Sequence, residues 1–152
     1  MNGVVDYRGL YHTGIVVRDF ERAQDEFAQA YGLTWGLNGE SEVPVLFTDL
    51  GLRMVTFRFC YSNEGPHRVE LVRAVEGTMW EPAGNGQAHH LGFWCDDVAT
   101  TAKGLDAMGW ATAAVVGYVE GEPPAITMHR SPNGHFIELV SSDRRPFMFP
   151  DD

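Results

Sequence analysis

The chain is poor in cysteine and lacks long apolar runs. Its two cysteines, Cys60 and Cys95, show no CxxC spacing, which argues against a disulfide framework or a cysteine zinc site. We expect buried free thiols within strands, in a reducing compartment. No run approaches the roughly 18 apolar residues of a membrane span, and no charged-then-apolar leader opens the sequence. The expected location is cytoplasmic.

Basic residues are also scarce. Lys and Arg number 11 against 21 Asp and Glu, so the formal net charge is −10. This charge repels phosphate backbones and acidic membrane surfaces, which excludes nucleic acid and membranes as expected partners. What the chain does have is a 44% hydrophobic fraction in 152 residues, with 9 Phe, 5 Tyr and 4 Trp. These values predict a single globular domain spanning residues 1–152.

An internal repeat organises the sequence. The stretch from His12 to Asp19 returns as His90 to Asp97. In both, the His is followed by Gly two positions later, by a large apolar residue at three and by Asp at seven. The segment 69–72 (VELV) likewise returns as 137–140 (IELV). A duplicated module that places one His and one Glu in each copy accounts for this order.

The repeat divides the chain into two similar modules. We predict module one at about 10–75, a Gly- and Pro-rich linker at about 76–87, module two at about 88–142 and a tail at 143–152. Each module shows a strand, a capped helical stretch and three further strands, or βαβββ. The predicted strands cover His12–Arg18, Val43–Asp49, Leu52–Tyr61, His67–Val72, a strand that opens at His90 and includes Cys95, Ala111–Val119, Ala125–Arg130 and His135–Val140. The predicted fold class is α+β, with a cup-shaped mixed sheet around one metal site.

Four polar residues on these strands carry the candidate chemistry: His12, Glu70, His90 and Glu138. Apolar neighbours flank them and must point to the opposite face of each strand. If those apolar faces pack on the helices, the four polar side chains converge on the concave side of the sheet. Two acids and two imidazoles in one cavity favour a divalent cation, which pairs with both carboxylates and accepts the imidazole lone pairs. This donor set suits Zn²⁺, Ni²⁺, Co²⁺, Mn²⁺ or Fe²⁺. A duplicated fold whose pocket binds its ligand without metal is the alternative.

The pattern over about residues 10–142 resembles the vicinal oxygen chelate superfamily, which includes glyoxalase I, methylmalonyl-CoA epimerase, extradiol dioxygenases and the bleomycin-resistance proteins. The resemblance implies paired βαβββ modules whose first and last strands supply the ligands. On this chain those ligands are His12, Glu70, His90 and Glu138. The His-Glu-His-Glu set is most similar to glyoxalase I, whereas epimerases of the family usually carry Gln in the place of Glu70.

The resemblance implies an enzyme of the glyoxalase or epimerase kind, a metal-dependent lyase or isomerase. It would transfer a proton through a metal-stabilised enediolate or enolate of a small oxygenated substrate. Glu138 is the first candidate for the base and Glu70 the second. Two alternatives stay open: an Fe²⁺-dependent ring-cleaving dioxygenase, and a resistance-type protein that binds a small molecule without catalysis. A homodimer is expected because an open cup leaves a strand edge exposed.

Other residues are assigned less specific roles. His89 adjoins His90 but does not have the seven-residue spacing to Asp97. A structural role is favoured for it over a role in contact with the metal ligands. Arg53, Arg58 and Arg68 are interpreted as solvated in preference to binding a substrate anion. The aromatic residues on or near strands are candidates for an apolar pocket lining, with the core as the alternative: Trp35, Phe47, Phe57, Phe59, Trp80 and Trp94. The apolar tail is expected to cover either the pocket mouth or a subunit contact.

Overall fold

The computed structural model describes residues 3–83 and 87–152, and part of the predicted linker, 84–86, lies outside them. The elements follow in chain order: β1 (Leu10–Val17), α1 (Phe20–Tyr31), β2 (Trp35–Phe47), β3 (Gly51–Ser62), β4 (Arg68–Arg73), β5 (His90–Cys95), α2 (Val98–Ala107), β6 (Ala111–Val116), β7 (Ile126–Arg130), β8 (Phe136–Ser141) and α3 (Arg145–Met148). Both halves of the chain therefore have the predicted βαβββ order.

Both long helices begin at the aspartates of the repeat. The Asp19 carboxylate accepts a hydrogen bond from the Arg22 N–H, and Asp97 does the same for Thr100. Each cap satisfies one of the backbone donors left free in a first helical turn. Helix α1 ends at Gly32, whose φ of 70° requires the left-handed conformation that glycine adopts without strain. Local sequence alone therefore sets these helix boundaries.

The eight strands form one curved mixed sheet that closes on itself in the order β1-β4-β3-β2-β6-β7-β8-β5. Strands β1 and β4 are parallel, as are β5 and β8, and the other neighbours are antiparallel. The short pairing of β2 with β6, Val45–Phe47 against Ala114–Val116, completes the ring within one chain. The predicted α+β class and cup-shaped sheet are thus confirmed.

The register of four central strands brings the two repeats together. His12 lies opposite Gly92 and Gly14 lies opposite His90 in the antiparallel β1–β5 pair. Glu70 on β4 pairs with Gly14, and Glu138 on β8 pairs with Gly92. The strands that carry the candidate ligands are therefore adjacent, although their residues are far apart in sequence.

Several predicted strand boundaries were wrong: β6 ends at Val116 instead of Val119, and β2 ends at Phe47 instead of Asp49 and starts earlier than predicted. Residues 36–39 were expected to be a Gly- and Asn-containing lead-in, with a strand starting only at Val43. In the structure β2 begins at Trp35 and pairs with β3 along most of its length. The Arg58 guanidinium on β3 donates to the Asn38 side chain and to the Gly39 carbonyl, which stabilises this part of β2. Cross-strand partners override the low strand propensity of Gly and Asn.

The helices cover the outer surface of the sheet. Phe20 and Ala23 of α1 pack with Cys60 and Leu71, and Val98 and Leu105 of α2 pack in a separate cluster with Phe93, Ile137 and Leu139. Both cysteines are free thiols, Cys60 buried and Cys95 half-buried. Among the described residues, we find no helix with the length and apolar character needed to cross a bilayer.

The tail folds back onto the mouth of the barrel. After a 3-10 turn at Ser142–Arg144 and helix α3, Phe149 is buried beside Tyr11 and Tyr61. The Arg68 guanidinium lies over the Phe149 ring, 4.0 Å from its centroid, and donates to Asp152. Of the two places considered for the tail, the structure shows the one at the pocket.

Candidate metal centre

The four candidate ligands converge inside the barrel. His12 is 0% exposed, His90 1%, Glu70 6% and Glu138 9%. The apolar residues beside the glutamates pack on the other side of the sheet, as expected from strand alternation: Leu71 against α1, and Ile137 and Leu139 against α2. The sequence prediction that these side chains share one face therefore agrees with the geometry.

The ring nitrogens and carboxylate oxygens of the four residues lie close to one another. The two Nε2 atoms of His12 and His90 are 3.1 Å apart. His90 Nε2 lies 3.2 Å from Glu70 Oε1 and 3.7 Å from Glu138 Oε2, and His12 Nε2 lies 3.9 Å from one oxygen of each carboxylate. Ligand atoms of His12, His90 and Glu138 all lie within 4.8 Å of one another, a group that does not include Glu70.

Two glycines of the repeat make room for the histidines. A Cβ atom added at Gly92 would overlap the imidazole of His12, and one added at Gly14 would overlap that of His90. Each module therefore supplies the glycine that accommodates the histidine of the other. This exchange explains the His-x-Gly spacing in both copies, because β1 and β5 are antiparallel neighbours in which each His faces the partner Gly.

The arrangement fits a divalent ion. Nitrogen ligands held about 2.1 Å from one tetrahedral or octahedral ion lie about 3.0 to 3.4 Å apart, which includes the observed separation of the two imidazoles. Without an ion the cluster brings two acids close together in a buried space, and His12 Nδ1 has no hydrogen-bond partner among the described residues. Two nitrogen and two oxygen donors suit borderline first-row cations.

The environment separates the pKa values of the two carboxyl groups. Burial, together with the nearby charge of Glu70, raises the pKa of Glu138 to about 8. Burial also disfavours the ionised form of Glu70, but its contacts with the His12 and His90 imidazoles outweigh burial and lower its pKa. Two acids that share one site cannot ionise equally easily, so Glu138 is the one that holds a proton near neutral pH.

The histidines differ in the same way. Burial lowers the pKa of His12 to about 3, so this imidazole stays neutral. For His90, burial also opposes protonation, but the hydrogen bond to Glu70 and the Glu138 charge prevail and raise the pKa above its usual value. Without metal, the mobile protons of the site therefore reside on His90 and Glu138.

We expect Zn²⁺ binding to release protons, because a ligating carboxylate and imidazole must both be deprotonated. The raised pKa of Glu138, about 8, means that release is largest below this value and declines as the pH rises past it. Titration calorimetry at about pH 6.5 and about pH 8.5, in buffers of different ionisation enthalpy, measures the proton count. An equal count at both pH values would contradict the shift.

A cavity of about 320 Å³ opens above the ligands and is bordered by Glu70 and Glu138. Most of its wall is apolar or aromatic: Leu37, Val43, Phe57, Phe59, Tyr61, Val72, Trp80, Val116, Ile126 and Met148. Among the described residues that line the cavity, Arg144 carries the positively charged side chain. The cavity therefore combines a largely apolar wall with two carboxylates and one cationic side chain.

The aromatic residues proposed from the sequence as a pocket lining lie in different places. Phe57, Phe59 and Trp80 line the cavity, so the predicted linker contributes Trp80 to the site. Phe47 packs on Trp80, whereas Trp35 packs near α1. Trp94 stacks on Tyr11, with ring centroids 3.8 Å apart.

The arginines considered from sequence lie away from the cavity wall. Arg58 binds Asn38 and rests over Phe20, and the buried Arg68 binds the tail. The interpretation of Arg68 as solvated was wrong, because Asp152 and two backbone carbonyls surround it. Arg144, which does line the cavity, was missed. No local signal identifies it, since its position depends on how the tail folds.

The closed sheet of paired βαβββ units, with a buried His and Glu set at its centre, defines a class of proteins built by duplication around one site. The chain belongs to the Glyoxalase/Bleomycin resistance protein/Dioxygenase superfamily, whose family model matches residues 11–144. Members of this superfamily commonly bind a divalent metal, and the His12, His90 and Glu138 cluster of this chain could hold one.

Solved structures share the fold. Methylmalonyl-CoA epimerase from Mycobacterium tuberculosis is 18% identical, with 93% of this chain and 92% of that chain covered and a TM-score of 0.55. A variant of the Streptomyces coelicolor epimerase in complex with 2-nitronate-propionyl-CoA is 20% identical, with 88% and 96% covered and a TM-score of 0.57.

A variant of 4-hydroxymandelate synthase from Streptomyces coelicolor is also similar, at 12% identity and a TM-score of 0.51. The match covers 87% of this chain and 48% of that chain. No curated protein matches the chain. At these identities the structural matches establish the fold, and the reaction has to be argued from the site.

Proposed function

We propose that this protein is a metal-dependent isomerase or lyase that moves a proton at a carbon next to substrate oxygens. The carrying observation is the convergence of two buried imidazoles and two buried carboxylates on the floor of an apolar cavity. His12, His90, Glu70 and Glu138 would hold one divalent ion. When bound, the ion supplies a Lewis acid that stabilises negative charge developing on substrate oxygen.

Glu138 is the proposed base. Its carboxylate borders the cavity, and in the metal-free site its surroundings raise its pKa to about 8, so this environment favours proton uptake on Glu138 over Glu70. Glu70 is the second candidate, but its lowered pKa makes it a weaker proton acceptor.

The cavity indicates the kind of substrate. Its volume of about 320 Å³ lies at the lower end of small-molecule sites. Aromatic walls favour an apolar or planar body, and Arg144 favours an anionic group at the tail side. We propose a small oxygenated anion, such as a carboxylate-bearing thioester or α-hydroxycarbonyl compound.

The test begins with metal content and continues with proton exchange. Untagged protein is stripped with a chelator, reloaded separately with Zn²⁺, Co²⁺, Ni²⁺, Mn²⁺ or Fe²⁺, and analysed by mass spectrometry. Deuterium incorporation from D₂O into methylmalonyl-CoA, and into the hemithioacetal of methylglyoxal and glutathione, is then followed by NMR. We expect about one ion per chain and exchange that requires the ion.

Three outcomes would count against the proposal. A reconstituted protein without metal would show that the His and Glu set is not a ligand set. Metal binding without exchange in any proton-transfer substrate would remove the isomerase and lyase assignment. Undiminished binding of aromatic compounds after exhaustive chelation would favour the non-enzymatic binding protein.

A second candidate rests on one feature of the cluster. The three residues whose ligand atoms lie mutually close, His12, His90 and Glu138, form a two-histidine, one-carboxylate set. Non-haem Fe²⁺ oxygenases use this set and leave the remaining positions open. An extradiol-type dioxygenase is therefore the alternative.

Glu70 separates the two candidates. If it is a ligand, Glu70→Ala should weaken Zn²⁺ binding, whereas an oxygenase with three ligands should retain Fe²⁺. Oxygen consumption with catechols, measured on protein loaded anaerobically with Fe²⁺, tests the second candidate directly. Consumption that persists in Glu70→Ala would favour the oxygenase.

The homodimer and the cytoplasmic location stay predictions. The exposed-edge argument for a dimer does not apply to this chain, because β2 pairs with β6 and closes the sheet. A dimer would have to form through another surface, and sedimentation equilibrium would detect it.

A further inference from the structure

His89 is a buried histidine that the proposed chemistry does not use. It is 5% exposed and precedes β5, so its side chain is free of the alternation that the strand imposes on His90. Its ring lies beside that of His90, one of the proposed metal ligands. His89 Nδ1 lies 2.9 Å from His90 Nδ1, and His89 Nε2 lies 2.7 Å from the Met79 carbonyl oxygen.

These two contacts determine where the protons are. A carbonyl oxygen can only accept, so His89 Nε2 must carry a hydrogen. A neutral imidazole has one donor and one acceptor nitrogen, which makes His89 Nδ1 the acceptor. His90 Nδ1 must then donate to it. The Nε2 of a neutral His90 is left with its lone pair directed at His12 and the two glutamates.

The opposite direction of the hydrogen bond between His89 and His90, with His89 as the donor, is disfavoured. A charged His89 would donate from Nδ1, which would force the hydrogen of a neutral His90 onto Nε2 and block it as a ligand. That arrangement would also place a buried imidazolium next to a divalent cation, where desolvation and like charge both oppose it. Metal binding is therefore compatible with only one direction of this hydrogen bond, the one in which His90 Nδ1 donates to His89 Nδ1.

We propose that His89 is a positioning residue that holds His90 in the tautomer and orientation required for metal ligation, acting as a relay from the Met79 carbonyl. The proposal rests on the metal site of the proposed function. It makes the two ligand histidines unequal, because His12 Nδ1 has no hydrogen-bond partner among residues 3–83 and 87–152. Partners behind a ligating histidine commonly change metal affinity by about 10- to 100-fold.

Packing is the competing role of His89. The two roles make opposite predictions about which of two substitutions, His89→Phe or His89→Asn, is better tolerated. The His89 ring stacks on Phe136, with centroids 5.1 Å apart and planes at 15°. If stacking is what matters, His89→Phe should be tolerated and His89→Asn should be harmful. If the relay matters, His89→Asn should be tolerated, because its side-chain oxygen can replace Nδ1 as the acceptor, and His89→Phe should be harmful.

Zn²⁺ affinity, measured by competition with a chromophoric chelator, is the first readout. We expect His89→Phe to weaken binding by about 10- to 100-fold and His89→Asn to stay within about threefold of wild type. His129→Gln is the control, since His129 is also buried but bonds to Thr127 and the Trp110 carbonyl. Equal affinity in His89→Phe and wild type would overturn the proposal.

The second readout does not need metal. In metal-free protein labelled with ¹⁵N-histidine, we expect a protonated Nδ1 on His90, an unprotonated Nδ1 on His89, and a coupling across the hydrogen bond that joins them. An unprotonated Nδ1 on His90 would overturn the relay. Failure of wild-type protein to bind Zn²⁺ would instead count against the proposed function, while this spectrum still decides the role of His89.

Discussion

Replacing Gly92 with alanine is expected to abolish metal binding, with a loss of Zn²⁺ affinity of about 100-fold or more. The added methyl group would occupy the space of the His12 imidazole. Because packed interiors do not yield to an overlap of this size, the ring must leave its position and Nε2 must leave the cluster. Gly14→Ala should act in the same way on His90. Competition titration with Zn²⁺ measures both.

Controls separate this effect from a general loss of stability. Gly39→Ala is the matched variant, since a Cβ at this strand position would meet only Phe59 Cζ, at 4.0 Å, and it should bind Zn²⁺ normally. Removing the His12 imidazole tests whether its overlap with the added methyl group causes the loss of stability. Relative to Gly92→Ala, the double variant with His12→Ala should recover free energy of unfolding but not metal binding. Normal Zn²⁺ affinity in Gly92→Ala would refute the reciprocal arrangement.

Replacing Glu138 with glutamine is expected to reduce substrate proton exchange by about 10²- to 10⁴-fold, the usual contribution of a general base. Glutamine keeps the shape and one oxygen ligand but cannot accept the proton. The measurement is the rate of deuterium incorporation at saturating Zn²⁺, so that weaker metal binding does not account for the loss. Glu70→Gln should reduce this rate less, because Glu70 is only the second candidate for the base and glutamine retains an oxygen ligand at this position.

Glu42→Gln is the matched control for charge. Glu42 is exposed on β2, next to Ser41 and Val43, which line the cavity, so its side chain points to the other face. It should exchange at the wild-type rate. A larger loss in Glu70→Gln than in Glu138→Gln would reverse the assignment of the base.

Local signals made much of the fold predictable. Aspartates before each helix and Gly32 after α1 act through backbone hydrogen bonds within a few residues, so they operate wherever the chain places them. The strand at Trp35 was missed for the opposite reason. Its Gly and Asn residues form a strand because β3 lies beside them, and that partner is not visible in a local window.

The repeat made the candidate site predictable as a set of residues. A His and a Glu recur at equivalent positions, and strand alternation puts each on the face opposite its apolar neighbours. Their assignment as ligands stays a prediction. Sequence also showed the glycine two residues after each His but gave no reason for it.

What the sequence by itself determined is the pair of βαβββ units, their helix boundaries and the nomination of two His and two Glu. The tertiary structure alone decided which residues face one another. The antiparallel β1–β5 pairing sets Gly92 against His12 across the sheet, the tail brings Arg144 to the cavity, and His89 meets the Met79 carbonyl. Closure of the barrel brings together His12 and His90, which are 78 positions apart, and local periodicity carries no record of such distances.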